Sequence, residues 1–194
     1  MAEDLWKRTA NDLAQMIAAG EVSSLEVVNA HLDRINEVNG WLNAVTHVLA
    51  EEARTAAIEA DAAVATGDEL GPLHGVPCTV KENVDVSGTA TTQGLPAFAE
   101  LIAPTDAPLV ERLRGAGAIP IGRTNLPELG LRVSTDNPLH GLTRNPWHPD
   151  RTAGGSSGGE GSAIASGMSP LGLGNDIGGS VRNPAFCCGI TSIK

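Results

Sequence analysis

The sequence GPLHGVPCTVKEN, residues 71–83, contains a short apolar run that lies between turn residues and ends at a lysine. Gly, Pro and Asn around residues 76–80 punctuate the chain in the way that is typical of a β-strand. Residues 107–115 predict a helix, and residues 119–122 predict a second strand. A strand, a helix and a strand in this order are typical of a crossover unit. We therefore predict an α/β fold.

Residues 1–70 predict a helical segment that packs on this sheet. Apolar residues recur at helical spacing between residues 9 and 20, which indicates one helix. Ser23 or Ser24 is expected to cap a second helix, and the alanine-rich residues 51–65 predict a third. The apolar face of the second helix is expected to consist of Leu25, Val28, Leu32 and Ile35. Residues 125–150 contain four prolines and predict a long irregular loop.

The charge of the chain argues against several classes of partner. The 194 residues include 13 Lys and Arg and 23 Asp and Glu, for a formal net charge of −10. Residues 1–70 carry 13 of the acidic and 4 of the basic side chains, which is typical of solvated helix faces. An acidic chain has no field to hold nucleic acid or anionic lipid, and no apolar run approaches the roughly 18 residues of a membrane span. We predict a soluble, cytoplasmic protein without either partner.

The cysteines predict neither a disulfide nor a metal site. Their number is odd, their spacing fits no metal-ligand motif, and adjacent cysteines bridge to each other only with strain. The three residues are Cys78, Cys187 and Cys188. We expect them to be reduced, buried thiols.

Glycine is concentrated in the last quarter of the sequence. Residues 154–189 hold 11 of the 23 glycines, with clusters in GGSSGGE at residues 154–160 and GNDIGGS at residues 174–180. The sequence between the clusters predicts a helix around residues 163–165 and a strand at residues 170–173. Glycine at such turns lets backbone amides approach a ligand closely, as an anion or oxyanion site requires.

Three interpretations of these glycine loops compete. A phosphate-binding loop requires a lysine after its last glycine, but no lysine lies between Lys81 and Lys194. Residues 154–158 match the nucleophile elbow of α/β-hydrolases, in which the histidine follows the serine. All five histidines here precede Ser156, namely His31, His47, His74, His140 and His148. The third interpretation is a serine nucleophile with Lys81 as its base. The alternative for Lys81 is a surface lysine that snorkels from the strand end or pairs with Glu82.

Together these segments resemble the amidase signature family of serine hydrolases. Residues 71–83 are similar to the lysine segment of that family, residues 154–160 to its first serine loop, and residues 176–182, DIGGSVR, to its nucleophile loop. Ser180 lies 24 positions after Ser156, as the family pattern requires. The resemblance runs from residue 12 to the last residue of the sequence.

The resemblance implies a particular architecture. It is a mixed β-sheet covered by helices, in which residues 1–70 form the N-terminal helices and residues 71–194 form the N-terminal part of the catalytic core. Members of the family are much longer, so we expect a single, truncated domain. Residues 191–194 are expected to lie in a strand.

The resemblance also implies roles for individual residues. Ser180 is the acylated nucleophile, Lys81 is the base, and Ser156 passes the proton between them after a cis peptide bond. The backbone amides of Ile177, Gly178, Gly179 and Ser180 form the oxyanion hole. Supporting roles fall to Ser157, which either orients its loop or is a plain turn serine, and to Asp176 and Arg182, which pair to hold theirs. Asn175 stands where the family often has threonine, and only packing is expected to change. No metal and no cofactor is implied.

We therefore expect an amidase that hydrolyses the C–N bond of a small, linear, non-peptide carboxamide through an acyl-enzyme. A homodimer is the expected oligomeric state. One alternative is the A subunit of a glutamine amidotransferase, which supplies ammonia for tRNA-dependent amidation with any tRNA contact made by a partner. Another is an inactive fragment of an amidase.

Overall fold

The computed structural model describes residues 2–194, and within them a four-stranded mixed sheet forms the centre of the molecule. The strands are β1 (Val45–Val48), β2 (Pro77–Lys81), β3 (Ile119–Thr124) and β4 (Gly172–Leu173), in the order β1-β3-β2-β4. β2 runs parallel to both β3 and β4, whereas β1 pairs antiparallel with β3. The prediction of a mixed α/β sheet is confirmed.

Five of the six helices in the described residues lie close to the positions that the sequence predicts, and the sixth, Arg182–Cys188, is not predicted. They are α1 (Ala10–Ala18), α2 (Ser24–Leu42), α3 (Ala50–Thr66), α4 (Pro108–Gly115), α5 (Gly158–Ala165) and α6 (Arg182–Cys188). Short 3₁₀ turns occur at Ala2–Lys7, Pro96–Phe98 and Glu128–Gly130. Ser23, rather than Ser24, caps α2, because its side chain accepts from the Glu26 amide while the Glu26 carboxylate accepts from the Ser23 amide.

Helices α2 and α3 share a hydrophobic core with the sheet. The apolar face of α2 packs with buried alanines of α3 and with β3 in a cluster that includes Val28, Leu32, Ile35, Ala53, Ala57, Ile119 and Ile121. Residues 1–70 also supply β1, which the sequence does not predict. The four residues of β1 lie between two helices, and a strand that short has no clear alternation of its own.

The loop that follows β3 is irregular but ordered by buried amides. Asn137 Nδ2 donates to Asn125 Oδ1 at 2.6 Å, and Asn125 Nδ2 donates to Thr143 Oγ1 at 3.0 Å. These bonds satisfy polar groups that would otherwise be buried without partners. They fix the loop beside the first glycine cluster, where Gly159 N donates to Asn125 O at 3.2 Å.

Two expectations about the periphery are wrong. Residues 191–194 form no strand, because within residues 2–194 they make no ladder hydrogen bonds with β4. Cys187 is half-buried, whereas Cys78 and Cys188 are buried as expected, and all three are free thiols. Burial raises the pKa of the Cys78 and Cys188 thiols to about 12.

Among the described residues no helix has the length and apolar character of a membrane span.

Candidate active site

Lys81 is the last residue of β2, and its side chain is fully buried. Its Nζ donates to Ser156 Oγ at 2.7 Å and to Asn175 Oδ1 at 2.8 Å. The alternative of a surface lysine that snorkels or pairs with Glu82 is wrong, since the Lys81 side chain is buried and Glu82 instead contacts His140 at 2.9 Å. Burial lowers the pKa of the Lys81 amine to about 8, although the carboxylates of Glu160 and Asp176 act in the opposite direction.

Ser156 is held in the first glycine loop, immediately before α5. The peptide bond between Gly155 and Ser156 is cis, as the resemblance implies. Glycine is needed at residue 155 because a Cβ there would lie 2.5 Å from the Arg132 carbonyl oxygen. The loop is therefore packed directly against the backbone of the preceding segment. This packing leaves the Ser156 hydroxyl buried and aimed at Lys81.

Ser180 belongs to the second glycine loop, and Ser157 joins the two loops. The Ser157 amide donates to the Ser180 carbonyl oxygen at 3.0 Å. Ser180 lies on the same cavity as Ser156, which has a volume of about 450 Å³. Within residues 2–194 the Ser180 hydroxyl makes no hydrogen bond, so the expected contact between the two serine hydroxyls is not formed here. The structure thus joins Lys81 to Ser156 directly and places Ser180 on their cavity.

Asp176 organises the backbone of the nucleophile loop. Its buried carboxylate accepts from the Arg182 guanidinium through two bonds of 3.0 Å. It also accepts from the Gly179 amide at 2.7 Å and from the Val181 amide at 3.0 Å. The Arg182 guanidinium and these amides hold the pKa of the Asp176 carboxyl well below its usual range. This carboxylate therefore stays charged and holds the turn.

The backbone amides of this turn differ from the expected oxyanion hole at one position. The Gly179 amide already donates to Asp176 and is not free to bind an oxyanion. The amides of Ile177, Gly178 and Ser180 have no acceptor in the part of the chain that the structure describes. All three residues line the cavity that holds Ser156 and Ser180. The set of free donors is thus three amides instead of four.

Two residues at the site make contacts that the sequence does not predict. The expectation that Asn175 alters only packing is wrong, because its Oδ1 accepts directly from Lys81 and its Nδ2 donates to Asn83 Oδ1 at 3.1 Å. Glu160 is buried on α5 between β2 and β3. A single carboxylate in the small, apolar helix GGEGSAIA is the signal that could have drawn attention to it.

This arrangement can perform proton transfer. A buried amine whose pKa lies near neutrality is partly unprotonated at working pH, and a hydrogen-bonded hydroxyl can carry its basicity to a second hydroxyl. Free amides around the same cavity can stabilise a negative oxygen. No group of His, Cys, Asp and Glu in the described residues is arranged to hold a metal ion.

The fold is a mixed α/β sheet in which a buried lysine ends a central strand and lies beside two serine-containing glycine loops. This combination defines an amidase-like class of fold. Within this class, the sequence model of the family described as Amidase matches residues 26–194. The chain belongs to that family. The resemblance found in the sequence is therefore confirmed.

The relatives of this chain include both an amide hydrolase and an amidotransferase subunit. The chain is 56% identical over 190 residues to indoleacetamide hydrolase of Bradyrhizobium diazoefficiens, in a match that covers 98% of this chain and 36% of that protein. It is 47% identical over 191 residues to the A subunit of the glutamyl-tRNA(Gln) amidotransferase of Acidothermus cellulolyticus, in a match that covers 98% of this chain and 38% of that protein.

Solved structures place the fold in the same family. The structure of 6-aminohexanoate cyclic dimer hydrolase superimposes with a TM-score of 0.86 at 39% identity, over 96% of this chain and 37% of that one. The chain thus spans between 36% and 38% of the length of the two curated relatives described above.

Proposed function

We propose that this chain carries the nucleophile, the proton relay and the base of an amidase that hydrolyses a small, linear, non-peptide carboxamide. The observation that supports this most strongly is the 2.7 Å bond from Lys81 Nζ to Ser156 Oγ, buried beside the cavity that Ser180 lines. A lone serine hydroxyl is a weak nucleophile near neutral pH, so a base within reach is required.

The proposed reaction has two halves. Neutral Lys81 accepts the Ser156 proton as Ser156 takes the proton of Ser180, and Ser180 Oγ attacks the carbonyl carbon. The resulting oxyanion accepts hydrogen bonds from the free amides of the loop, where each donor contributes about 3 kcal/mol in comparable sites. The C–N bond breaks, and the relay returns its proton to the leaving amine.

The second half repeats the proton transfers with water. Water gives a proton to the relay and attacks the acyl carbon, and Ser180 leaves with that proton as the carboxylic acid is released. In this scheme the Ser180 hydroxyl turns towards Ser156 once substrate is bound, because catalytic hydrogen bonds often tighten only in the complex. The proposed chemistry uses no metal and no cofactor.

The proposed substrate class is an amide with an apolar acyl group. Two observations support it: the relative at 56% identity is an indoleacetamide hydrolase, and exposed apolar side chains lie around the Ser180 cavity. They are Leu131, Val133 and Ile177, at 79%, 72% and 98% exposure. Ammonia release from an aryl acetamide by the full-length protein tests this proposal, with glutamine as the matched control. Turnover of glutamine alone would contradict it.

The second candidate function is the A subunit of an amidotransferase. The relative at 47% identity supports it, and the serine and lysine groups would act in the same way. Glutaminase activity that requires a large co-purified partner would favour it over the amidase. In that case the acidic residues 1–70 leave any contact with tRNA to the partner.

The third candidate, an inactive fragment, is tested with the 194-residue chain itself. Cooperative melting together with anilide turnover would refute it. For the full-length protein we propose a cytoplasmic location, a homodimeric state and no direct contact with nucleic acid or membranes, which cell fractionation and analytical ultracentrifugation would test.

The pH dependence of the proposed reaction follows from Lys81. Because the base must be neutral and its pKa is about 8, kcat/KM is expected to fall about tenfold for each unit of pH below that value and to be level above it. The measurement is a kcat/KM profile from pH 6 to pH 10, with thermal melting at each pH as the control for unfolding. An acid limb whose midpoint lies below pH 6.5 would contradict Lys81 as the base.

A further inference from the structure

Glu160 is a buried carboxylic acid to which the proposed reaction assigns no step. It lies in the first turn of α5, and its carboxylate spans two strands of the sheet. Thr79 Oγ1 donates to Glu160 Oε2 at 2.6 Å, and Thr124 Oγ1 donates to Glu160 Oε1 at 2.7 Å. Both oxygens therefore have a fixed donor.

The register of the sheet brings this carboxylate beneath Lys81. Thr79 precedes Lys81 by two residues on β2, so their side chains share one face of the sheet. Thr124 is the register partner of Lys81 on β3. A carboxylate that bonds to both threonines thus lies on the same face as the Lys81 side chain.

The carboxylate has no freedom to move away. A Cβ at Gly172 of β4 would clash with Glu160 Oε2, so the carboxylate packs directly on the β4 backbone. Within residues 2–194, Glu160 forms no ion pair with Lys81, whose amine bonds to Ser156 and Asn175 instead. Glu160 therefore acts on Lys81 through space, in a buried region where charges interact strongly.

We propose that Glu160 is a positioning residue for Lys81, and that its buried carboxylate, held by Thr79 and Thr124, sets how strongly the Lys81 amine retains its proton. The inference rests on the proposed function, in which Lys81 is the base. A carboxylate beneath the amine favours the protonated form, and a neutral group there favours the free amine.

The other ionisable groups that face the pair keep their charge state around pH 8, where Lys81 titrates. Asp176 faces Lys81 from the nucleophile loop and stays ionised, because Arg182 lowers its pKa. Burial lowers the pKa of Arg123 of β3 to about 10, so it stays protonated through the pH range in which Lys81 titrates, and its guanidinium donates to Thr89 and to the carbonyl oxygens of Val84 and Lys81. Cys78 of β2 stays a neutral thiol, with its pKa raised to about 12 by burial.

Glu160 is the exception among these groups. Burial raises the pKa of its carboxyl to about 7, although both threonine hydroxyls act in the opposite direction. Its charge thus changes just below the pH at which Lys81 titrates. The two groups form a coupled pair in which the ionisation of one depends on the other.

The test is direct titration of the Lys81 amine by ¹³C and ¹⁵N NMR in the full-length protein, with its resonance assigned by its loss in Lys81→Arg. In Glu160→Gln, whose amide can still pair with both threonines, the midpoint is expected to fall by about one pH unit. The acid limb of kcat/KM is expected to move with it. A purely structural role would lower the melting temperature and leave the midpoint in place.

Glu82→Gln is the matched control. Glu82 is also a buried acid and adjoins Lys81 in sequence, but it contacts His140 instead of the threonine pair. In Glu82→Gln the titration midpoint of the Lys81 amine is expected to equal that of the wild type.

Thr124→Val provides a second variant in case Glu160→Gln does not fold. Loss of one donor raises the pKa of Glu160, so the Lys81 midpoint is again expected to fall, by less. If Glu160→Gln or Thr124→Val folds and its Lys81 midpoint equals that of the wild type, the inference is overturned. Because NMR titration needs no turnover, an inactive wild type with a shifting midpoint would overturn the proposed function alone.

Discussion

Replacing Ser180 by alanine is expected to reduce amide turnover by roughly 10⁴-fold or more while the protein stays folded. The Ser180 hydroxyl has no hydrogen-bond partner within residues 2–194, so its removal leaves no buried polar group unsatisfied. The substitution removes the proposed nucleophile and leaves Lys81 and Ser156 in contact. The measurement is kcat/KM for an aryl acetamide in the full-length protein, together with a thermal melt.

Lys81→Ala is expected to have a comparable effect, because no other base reaches Ser156 in the described site. Ser87→Ala is the matched control. Ser87 is exposed and bonds to Asp106 and Pro104 far from the glycine loops, so turnover is expected to stay within about twofold of the wild type. Normal turnover in Ser180→Ala or Lys81→Ala would end the assignment.

Covalent labelling gives an independent measurement of the same assignment. A serine-directed phosphonate or sulfonyl fluoride is expected to modify Ser180 in the wild type and to leave Ser180→Ala unmodified. Mass mapping of the label to a different serine would count against Ser180 as the nucleophile.

Gly159→Ala is expected to destabilise the fold by about 2–3 kcal/mol, because a Cβ cannot fit where α5 meets the sheet. At residue 159 the Cβ would clash with the Asn125 amide nitrogen, and it would lie 2.5 Å from the Asn125 carbonyl oxygen and 2.9 Å from the Ala44 carbonyl oxygen. These are main-chain atoms, which cannot rotate away as a side chain can. The measurement is the free energy of unfolding in urea.

Gly40→Ala is the control for this prediction. Gly40 lies within α2, where a Cβ would meet nothing within 4 Å. Alanine is a better helix former than glycine, so this variant is expected to be up to about 1 kcal/mol more stable than the wild type. Equal stabilities for the two alanine variants would show that the packing of α5 is not limited by the Cβ at residue 159.

The structure explains why a glycine cluster precedes the buried carboxylate. Residues 158, 159 and 161 lack side chains, so the first turns of α5 pack closely on Thr135, on the backbone of Asn125 after β3 and on Pro184 of α6. This close approach brings Glu160 between Thr79 and Thr124 and holds Ser156 against Lys81. The glycines thus have two structural effects. They shape the turn, and they bring the helix within hydrogen-bonding distance of the strands.

Local signals in the sequence were sufficient for most of the helices and strands. Turn residues bound β2, regular spacing marks α1 and α2, and the order of strand, helix and strand predicts the parallel pair of β2 and β3. β1 was missed because four residues carry too little pattern, and its pairing with β3 depends on contacts between segments far apart in the chain. Residues 191–194 were assigned to a strand from the family resemblance, but within residues 2–194 they pair with no strand of the sheet.

The sequence alone established the family, since three motifs in order at suitable spacings are specific, and it named Lys81, Ser156 and Ser180 as candidates. Only the tertiary structure revealed that Asn175 touches Lys81, that Gly179 donates its amide to Asp176, and that Glu160 lies beneath the lysine. Motif spacing records which residues are present. Hydrogen-bond partners and burial depend on how separate strands and loops meet, and these contacts set the pKa of Lys81 and the number of free amides.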